Sequence, residues 1–297
     1  MVKEISYCIT CMGRLEQLMK TLIKNLTDCF YYNDKVEFVL VVFLKKETDE
    51  DGLQILDWIK THVDKKFYLN GFFKVFYTTK LKYWHNCIAK NTAHKMGSGN
   101  FLINLDCDNF VTPQEIGFIL SKKFAFKVKC NYCSKRHQIY CKLKGHCKCI
   151  LNCKYCNLLK NKKSRSYNFI YWGFSHKYIH DGTFGEVGML RNIFFRLGGY
   201  NESFKPMGGA DLDLLKRAIS FSRSSLLKYT ERTAISNDKN EGLKNTNEYN
   251  KVSGNKRKAH SLWKKYNDYN MKISKAMLFS KKYCIRQKLG VDVIRFL

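Results

Sequence analysis

With 297 residues, 45% of them hydrophobic, the chain can build one large core with additions, and no apolar run reaches the ~18 residues that spanning a bilayer takes. Thirteen cysteines, with no signal-like leader before the first strand-like stretch, point to a cytoplasmic, reducing setting with thiols free or on metal. The net charge of +28 is uneven: residues 121–166 carry 14 Lys/Arg and no acid, residues 251–297 carry 13 against 2, and the remainder is nearly balanced, so a neutral core bears one basic insert and one basic tail.

Residues 5–10 read as a first strand, broken at Gly13-Arg14. Leu15, Leu18, Met19, Leu22, Ile23 and Leu26 then fall on one face of a helix. Residues 37–44 form a second strand, apolar on both faces as a parallel sheet requires. A polar loop, residues 45–51, leads into a short helix over 53–59, and residues 72–77 give a third strand. Residues 87–96 read as a helix ended by Gly97-Ser98-Gly99, and the fourth strand starts at Phe101. This alternation predicts an α/β, Rossmann-like unit with a mostly parallel sheet over residues 1–120. After the insert at 121–166, residues 185–196 mix strand and helix, and residues 207–213 run into a helix through Ala218. Residues 237–255 read as a polar linker. A helical tail follows from His260, so the insert is followed by a second core unit at 167–240 and by a linker and tail at 241–297. The tail interleaves Lys256-Arg257-Lys258, Lys264, Lys265, Lys281 and Lys282 with Met277, Leu278, Phe279, Ile285, Leu289, Val293, Ile294 and Phe296. That pattern fits either peripheral contact with an anionic membrane or a helix packing its apolar side on the core.

The fourth strand closes on Asp106 and Asp108. Carboxylates at that end of a parallel strand lie where open α/β sheets bind ligands, and two hard oxygen donors there suit a divalent cation that clamps a diphosphate. Lys90 and Asn91, on the helix before it, offer a cation and an amide to phosphate or ribose. Gly208-Gly209 let backbone approach a ligand closely, and Asp211 follows at a helix N-terminus, where a carboxylate is stabilised. Such a carboxylate, held apart from the metal pair, suits a general base.

Taken in order, Thr10-Cys-Met-Gly-Arg-Leu15, Ala89-Lys-Asn-Thr-Ala-His94, Asn104-Leu-Asp-Cys-Asp-Asn109, Leu197-Gly-Gly-Tyr-Asn-Glu202 and Gly208-Gly-Ala-Asp-Leu-Asp213 resemble the motifs of GT-A-fold glycosyltransferases, family 2 and its relatives with a galactosyltransferase-like C-terminal half. The resemblance spans roughly residues 4–120 and 180–240. It implies a nucleoside-diphosphate-sugar donor, Mn²⁺ or Mg²⁺ on Asp106 and Asp108, and Asp211 as the base of an inverting transfer, with Asp213 orienting acceptor or base. It also implies donor contacts from Thr10, Arg14, Lys90, Asn91, Asn104 and Gly199, and a glycan, lipid-linked or protein acceptor. Three positions depart from the family pattern. Ala210 stands where a Glu is usual, Val41-Val42-Phe43 lack the acid of the second strand, and residues 234–239 lack a metal-binding His. Asn237, Asp238 or water would supply the third ligand.

The insert sets Cys130, Cys133, Cys141, Cys147, Cys149, Cys153 and Cys156 within 27 residues, with His137 and His146 among them. Paired thiolates at these spacings predict one or two structural Zn²⁺ ions, and an acid-free, apolar-poor segment could hardly fold without metal. A disulfide-bonded loop is the alternative. Among the other histidines, His176 and His180, at a spacing that can bind metal on a helix, read as an acceptor-loop feature, His260 reads as a surface residue in preference to a distant third metal ligand, and His94 as packed in its helix. Two rival functions fit parts of the chain: a nucleic-acid-binding zinc protein, from the basic insert and tail, and a degenerate glycosyltransferase scaffold, from the departures above.

Overall fold

Among the described residues of the computed structural model, eight strands form the central sheet, in the order β10-β8-β9-β4-β1-β2-β3-β11. The strands are β1 (Ile5–Cys11), β2 (Val36–Phe43), β3 (Phe73–Thr78), β4 (Phe101–Asp106), β8 (Phe169–Gly173), β9 (Glu186–Leu190), β10 (Ser225–Tyr229) and β11 (Ile294–Arg295). The structure describes residues 3–121, 124–129, 136–141, 147–148, 169–173, 186–222, 225–229, 232–235, 245–246 and 256–297. Among the described residues the α-helices are α1 (Leu15–Cys29), α2 (Glu50–His62), α3 (Asn86–Met96), α4 (Pro113–Ser121), α5 (Arg191–Leu197), α6 (Ala210–Ser222) and α7 (Lys256–Phe279).

The α/β expectation holds. β4, β1, β2 and β3 are parallel, and β1 and β2 are buried along their whole length. Continuous apolar runs are what a sheet covered on both faces demands. Beyond β4 the pairing reverses: β9 is antiparallel to β4 and β8 to β9. β2 and β4 flank β1 on opposite sides, so the strand order reverses there and opens the crevice where such sheets take ligands.

The buried face of α1 differs from the expected stripe. Leu18, Leu22 and Leu26 are buried together with Thr21, Asn25 and Cys29, while Met19 and Ile23 are 42% and 36% exposed. The polar members of that face explain the shift. Thr21 Oγ1 donates to the Cys107 carbonyl at 2.6 Å, and Asn25 Nδ2 donates to the Asn109 carbonyl at 2.9 Å. The helix is turned to hold the loop after β4, and two apolar side chains face out as a result.

The tail packs on the core. Tyr266, Asn270 and Ser274 give α7 one buried face. The chain then runs back past the end of α5, where Ile285 N–H bonds the Leu197 carbonyl at 2.9 Å, and on to β11, antiparallel to β3. This edge strand was not among the expected elements. Of the insert, the structure gives the backbone of a three-stranded antiparallel sheet, β5 (Phe124–Lys129), β6 (Arg136–Cys141) and β7 (Cys147–Lys148), in which Cys141 and Cys147 are register partners. Cys130, Cys133, His146, Cys149, Cys153 and Cys156 lie outside the described residues, as do the side chains of His137, Cys141, Cys147 and His260. His176, His180, Asn237, Asp238 and all of the 237–255 linker except Asn245 and Thr246 lie outside them too. Among the described residues no helix is long and apolar enough to cross a membrane.

Candidate active site

The register of β1 against β4 sets Thr10 opposite Asp106 at the carboxyl edge of the sheet. Asp106 is the last residue of β4, and its side chain is 34% exposed. Asn104, two residues earlier on the same strand face, donates its amide to Asp106 Oδ1 at 2.9 Å. Asp108 follows in the turn and pairs with Arg14, which leaves β1 on the other side: Nη2 to Oδ2 is 2.7 Å. Asn109 Nδ2 donates to the second Asp108 oxygen at 2.8 Å.

Asp211 reaches the same place from the other half of the chain. It lies in the first turn of α6, where the helix dipole favours a carboxylate. The Lys90 ammonium, from α3, sits 2.8 Å from Asp211 Oδ1 and 3.6 Å from Asp106 Oδ1, with only 4% of its side chain exposed. One buried cation thus bridges the two halves of the site.

These contacts set the charge states. Burial disfavours ionised Asp106, but Lys90, the Asn104 amide and Arg14 outweigh it and hold the carboxyl below its ordinary value. Burial pushes the Asp211 carboxyl up, and Lys90 restrains the rise. Burial also raises Asp108, against Arg14. Lys90 stays firmly charged: its two carboxylates overcome the cost of burying the ammonium.

Thr10, Arg14, Lys90, Asp106, Asp108 and Asp211 therefore converge at one edge. Four other expected site residues have different places. Asn91 is fully buried, and its amide is spent on the turn after α5: Nδ2 donates to the Tyr200 carbonyl at 2.9 Å and to Glu202 Oε1 at 2.7 Å, and Oδ1 accepts from Tyr200 N–H at 2.8 Å. No polar atom is left over for a nucleotide. Gly199 has φ +61°, and a Cβ there would lie 2.4 Å from Asn91 Oδ1, so its glycine serves turn packing. Asp213 is fully buried and pairs with Arg217 at 2.7 Å. Arg217 in turn holds the Leu197, Gly199 and Tyr283 carbonyls. Asp213 thus anchors the turn and is closed off from solvent. Asn104 is also fully buried and orients Asp106.

Three supporting groups were not singled out from the sequence. Asn270 on α7 is fully buried. Its Oδ1 accepts from Lys205 N–H at 2.7 Å, and its Nδ2 donates to the carbonyls of Lys205, Met207 and Gly208 at 3.2, 3.0 and 2.8 Å. It clamps the glycine turn that leads into Asp211. Asn245 donates to the Met12 carbonyl at 2.7 Å and closes the exit of β1. Glu186, at the start of β9, accepts from the backbone N–H of Asp106 at 3.0 Å. The advance signal of Asn270 and Glu186 is a polar residue inside an otherwise helical or apolar run; Asn245, within a polar linker, carries none.

Two carboxylates on a sheet edge match the donor set of Mn²⁺ or Mg²⁺, which commonly take one or two protein carboxylates and complete their shell with phosphate and water. Among the described residues no group of three or more His, Cys, Asp or Glu forms a self-sufficient metal cage.

No protein-family model and no curated protein matches the chain. Several solved structures are similar in fold. A mannosyltransferase from Pyrobaculum calidifontis in complex with GDP-Man and Mn²⁺ aligns at 14% identity and TM-score 0.47, over 97% of this chain and 77% of that one. S. aureus TarS 1–349 in complex with UDP-GlcNAc aligns at 11% identity and TM-score 0.44, over 78% of this chain and 60% of that one. Glucosyl-3-phosphoglycerate synthase from Mycobacterium tuberculosis, in complex with Mn²⁺, UDP and phosphoglyceric acid, aligns at 10% identity and TM-score 0.42, over 99% and 86%. At these identities and TM-scores the likeness carries no assignment of activity, which has to come from this chain's own residues.

Proposed function

We propose that the chain is a metal-dependent glycosyltransferase that moves a sugar from a nucleoside-diphosphate donor to an acceptor hydroxyl with inversion. The observation that carries this reading is the Lys90 bridge, which joins a carboxylate pair at the edge of the parallel sheet to a third carboxylate on α6. Five motifs in the order of GT-A glycosyltransferases support it.

Asp106 and Asp108 would hold Mn²⁺ or Mg²⁺, and the ion when bound neutralises the departing nucleoside diphosphate. Lys90 and Arg14 add fixed positive charge beside the phosphates, and Thr10 lines the crevice opposite Asp106. Asp211 accepts the acceptor's hydroxyl proton as the oxygen attacks the anomeric carbon. The new glycosidic bond forms as the bond from that carbon to the phosphate oxygen breaks. A carboxyl raised by burial is a stronger base than an ordinary one, and Lys90 favours its charged form against that burial. The acceptor is a glycan, a lipid-linked sugar or a protein. The Cys-rich insert, in which Cys141 and Cys147 are register partners, is proposed to hold one or two structural Zn²⁺ ions.

Incubation with UDP- and GDP-sugars in Mn²⁺, with release of nucleoside diphosphate as readout, tests the reading. Asp211→Asn should lower turnover by about 100-fold or more and leave donor binding intact. Unchanged turnover in Asp211→Asn would refute the assigned base. Donor binding without turnover in the wild-type chain would favour a scaffold.

A further inference from the structure

A buried ionic cluster stands directly behind Asp106. Arg232, Glu115 and Glu186 are all fully buried. Arg232 Nε donates to Glu115 Oε2 at 2.9 Å, its Nη2 reaches Glu115 Oε1, and its Nη1 faces Glu186 Oε2. Tyr7 from β1 donates its hydroxyl to Glu115 at 2.9 Å. The other Glu186 oxygen, Oε1, accepts from the backbone N–H of Asp106 at 3.0 Å. The same short segment that carries Arg232 pairs with the turn of the carboxylate motif. Phe110 N–H bonds the Thr233 carbonyl and Ile235 N–H bonds the Asp108 carbonyl, each at 2.9 Å, and Asn109 bridges Ala234.

Burying two carboxylates and a guanidinium is costly, and a hydrophobic trio of equal volume would often be as stable. Stability alone is therefore a weak reason for the cluster. Its geometry has a clearer consequence. β4 ends at Asp106, where its antiparallel register with β9 has already run out at Ile103. The Asp106 N–H thus has no strand partner on that side, and Glu186 takes it. Arg232, fixed by Glu115, holds Glu186 in the orientation that does so.

We propose that Glu186 is a positioning residue for the donor-metal carboxylate Asp106, with Arg232 and Glu115 fixing it in place. The proposal rests on the glycosyltransferase reading for what the metal does, but its readout is metal binding alone. Outer groups that orient ligating carboxylates typically change metal affinity by about 10–100-fold when removed. The test compares Mn²⁺ binding in the presence of UDP or GDP, by electron paramagnetic resonance, for the wild-type chain and three variants. Glu186→Gln keeps an oxygen for the Asp106 N–H and leaves Arg232 paired with Glu115. It should bind Mn²⁺ within about threefold of wild type. Glu186→Leu removes the acceptor and should weaken binding by about tenfold or more. Glu186→Asp keeps the charge toward Arg232 but is one methylene short of the Asp106 N–H. It should weaken binding similarly, and it serves if the leucine variant does not fold. A cluster that only stabilises the fold would lower the melting temperature in all three without this split in affinity. Equal Mn²⁺ affinity across folded variants would overturn the proposal and leave the glycosyltransferase reading standing. Absence of Mn²⁺–nucleotide binding in the wild-type chain would refute that reading, and with it the role assigned to Glu186.

Discussion

Replacing Asn270 should separate the turn that seats the proposed base, Asp211, from the carboxylates proposed to bind the donor. The residue belongs to no motif, yet its side chain makes four contacts to the turn from Lys205 to Gly208, and that turn leads directly into α6 and Asp211. Asn270→Ala strips an acceptor from a buried N–H and donors from three carbonyls. At about 1 kcal/mol for each of three well-formed hydrogen bonds, the loss is about 3 kcal/mol, roughly 5 °C in melting temperature for a chain of this size. The turn would also lose its fixed geometry, and a base displaced by about 1 Å can cost on the order of 100-fold in rate. The variant should therefore lose turnover with donor KM nearly unchanged, because Asn270 touches none of the groups around Asp106 and Asp108. Asn270→Asp sharpens the test. A carboxylate facing three carbonyls is worse than a methyl group, so its carboxyl is raised in the folded state. That variant should be the less stable of the two at pH 8 and recover as pH falls and the acid gains a proton to donate. Calorimetry from pH 8 to pH 5, with donor and acceptor kinetics on the same samples, gives both readouts. A melting temperature within 2 °C of wild type together with unchanged turnover in Asn270→Ala would refute the reasoning.

Lys90→Met removes the cation shared by Asp106 and Asp211. Breaking a buried pair costs about 3–5 kcal/mol where both partners are shielded, and somewhat less here because Asp211 is 19% exposed. Lys90 holds the Asp211 carboxyl down against burial. Without it the base stays protonated to higher pH, so the acid limb of the turnover profile should move upward; an unmoved limb would separate Asp211 from the rate. His94 gives a prediction in the pH dependence of stability. It is buried, stacked on Phe194 at 4.6 Å, and burial lowers its pKa to about 3. A depressed folded pKa means the stability it supports is complete above the unfolded value near 6.5 and is lost as pH falls from there toward 3, at about 1.4 kcal/mol per pH unit. His94→Gln should flatten that part of the curve, and an unchanged slope would contradict the assignment.

The parallel strands were legible because burial on both faces leaves a continuous apolar run, as in residues 36–43. The carboxylate pair was legible because two acids ending such a run are conspicuous. The helix carrying Lys90 was readable from its periodicity, but the split between its neighbours was not. Lys90 enters the site, while Asn91, one residue on, turns about 100° around the helix and is spent on the 199–202 turn. Asp211 and Asp213 show the same effect at the start of α6: one faces Lys90 and the other pairs inward with Arg217. Motif matching counts both members of such pairs as site residues; only the helix phase separates them. The face of α1 was misread at Met19 and Ile23 because a scan for apolar spacing passes over the buried Thr21 and Asn25. Glu186, Arg232 and Asn270 were invisible for a related reason. Glu186 and Asn270 act on backbone groups distant in sequence and Arg232 on two distant carboxylates, and a lone polar residue carries no spacing that reveals its partner. β11 escaped notice because two residues are too few for a period.

The central claim is that Asp106 and Asp108 form the donor-metal half of a site completed by Asp211. Melting curves with UDP- and GDP-sugars, with and without Mn²⁺, test it most directly in the wild-type chain and in Asp106→Asn and Asp108→Asn. The account predicts that at least one nucleotide sugar stabilises the wild type only when Mn²⁺ is present, and that both asparagine variants fold but lose the shift. Stabilisation that persists in folded Asp106→Asn and Asp108→Asn, or that is equally large without Mn²⁺, would contradict it.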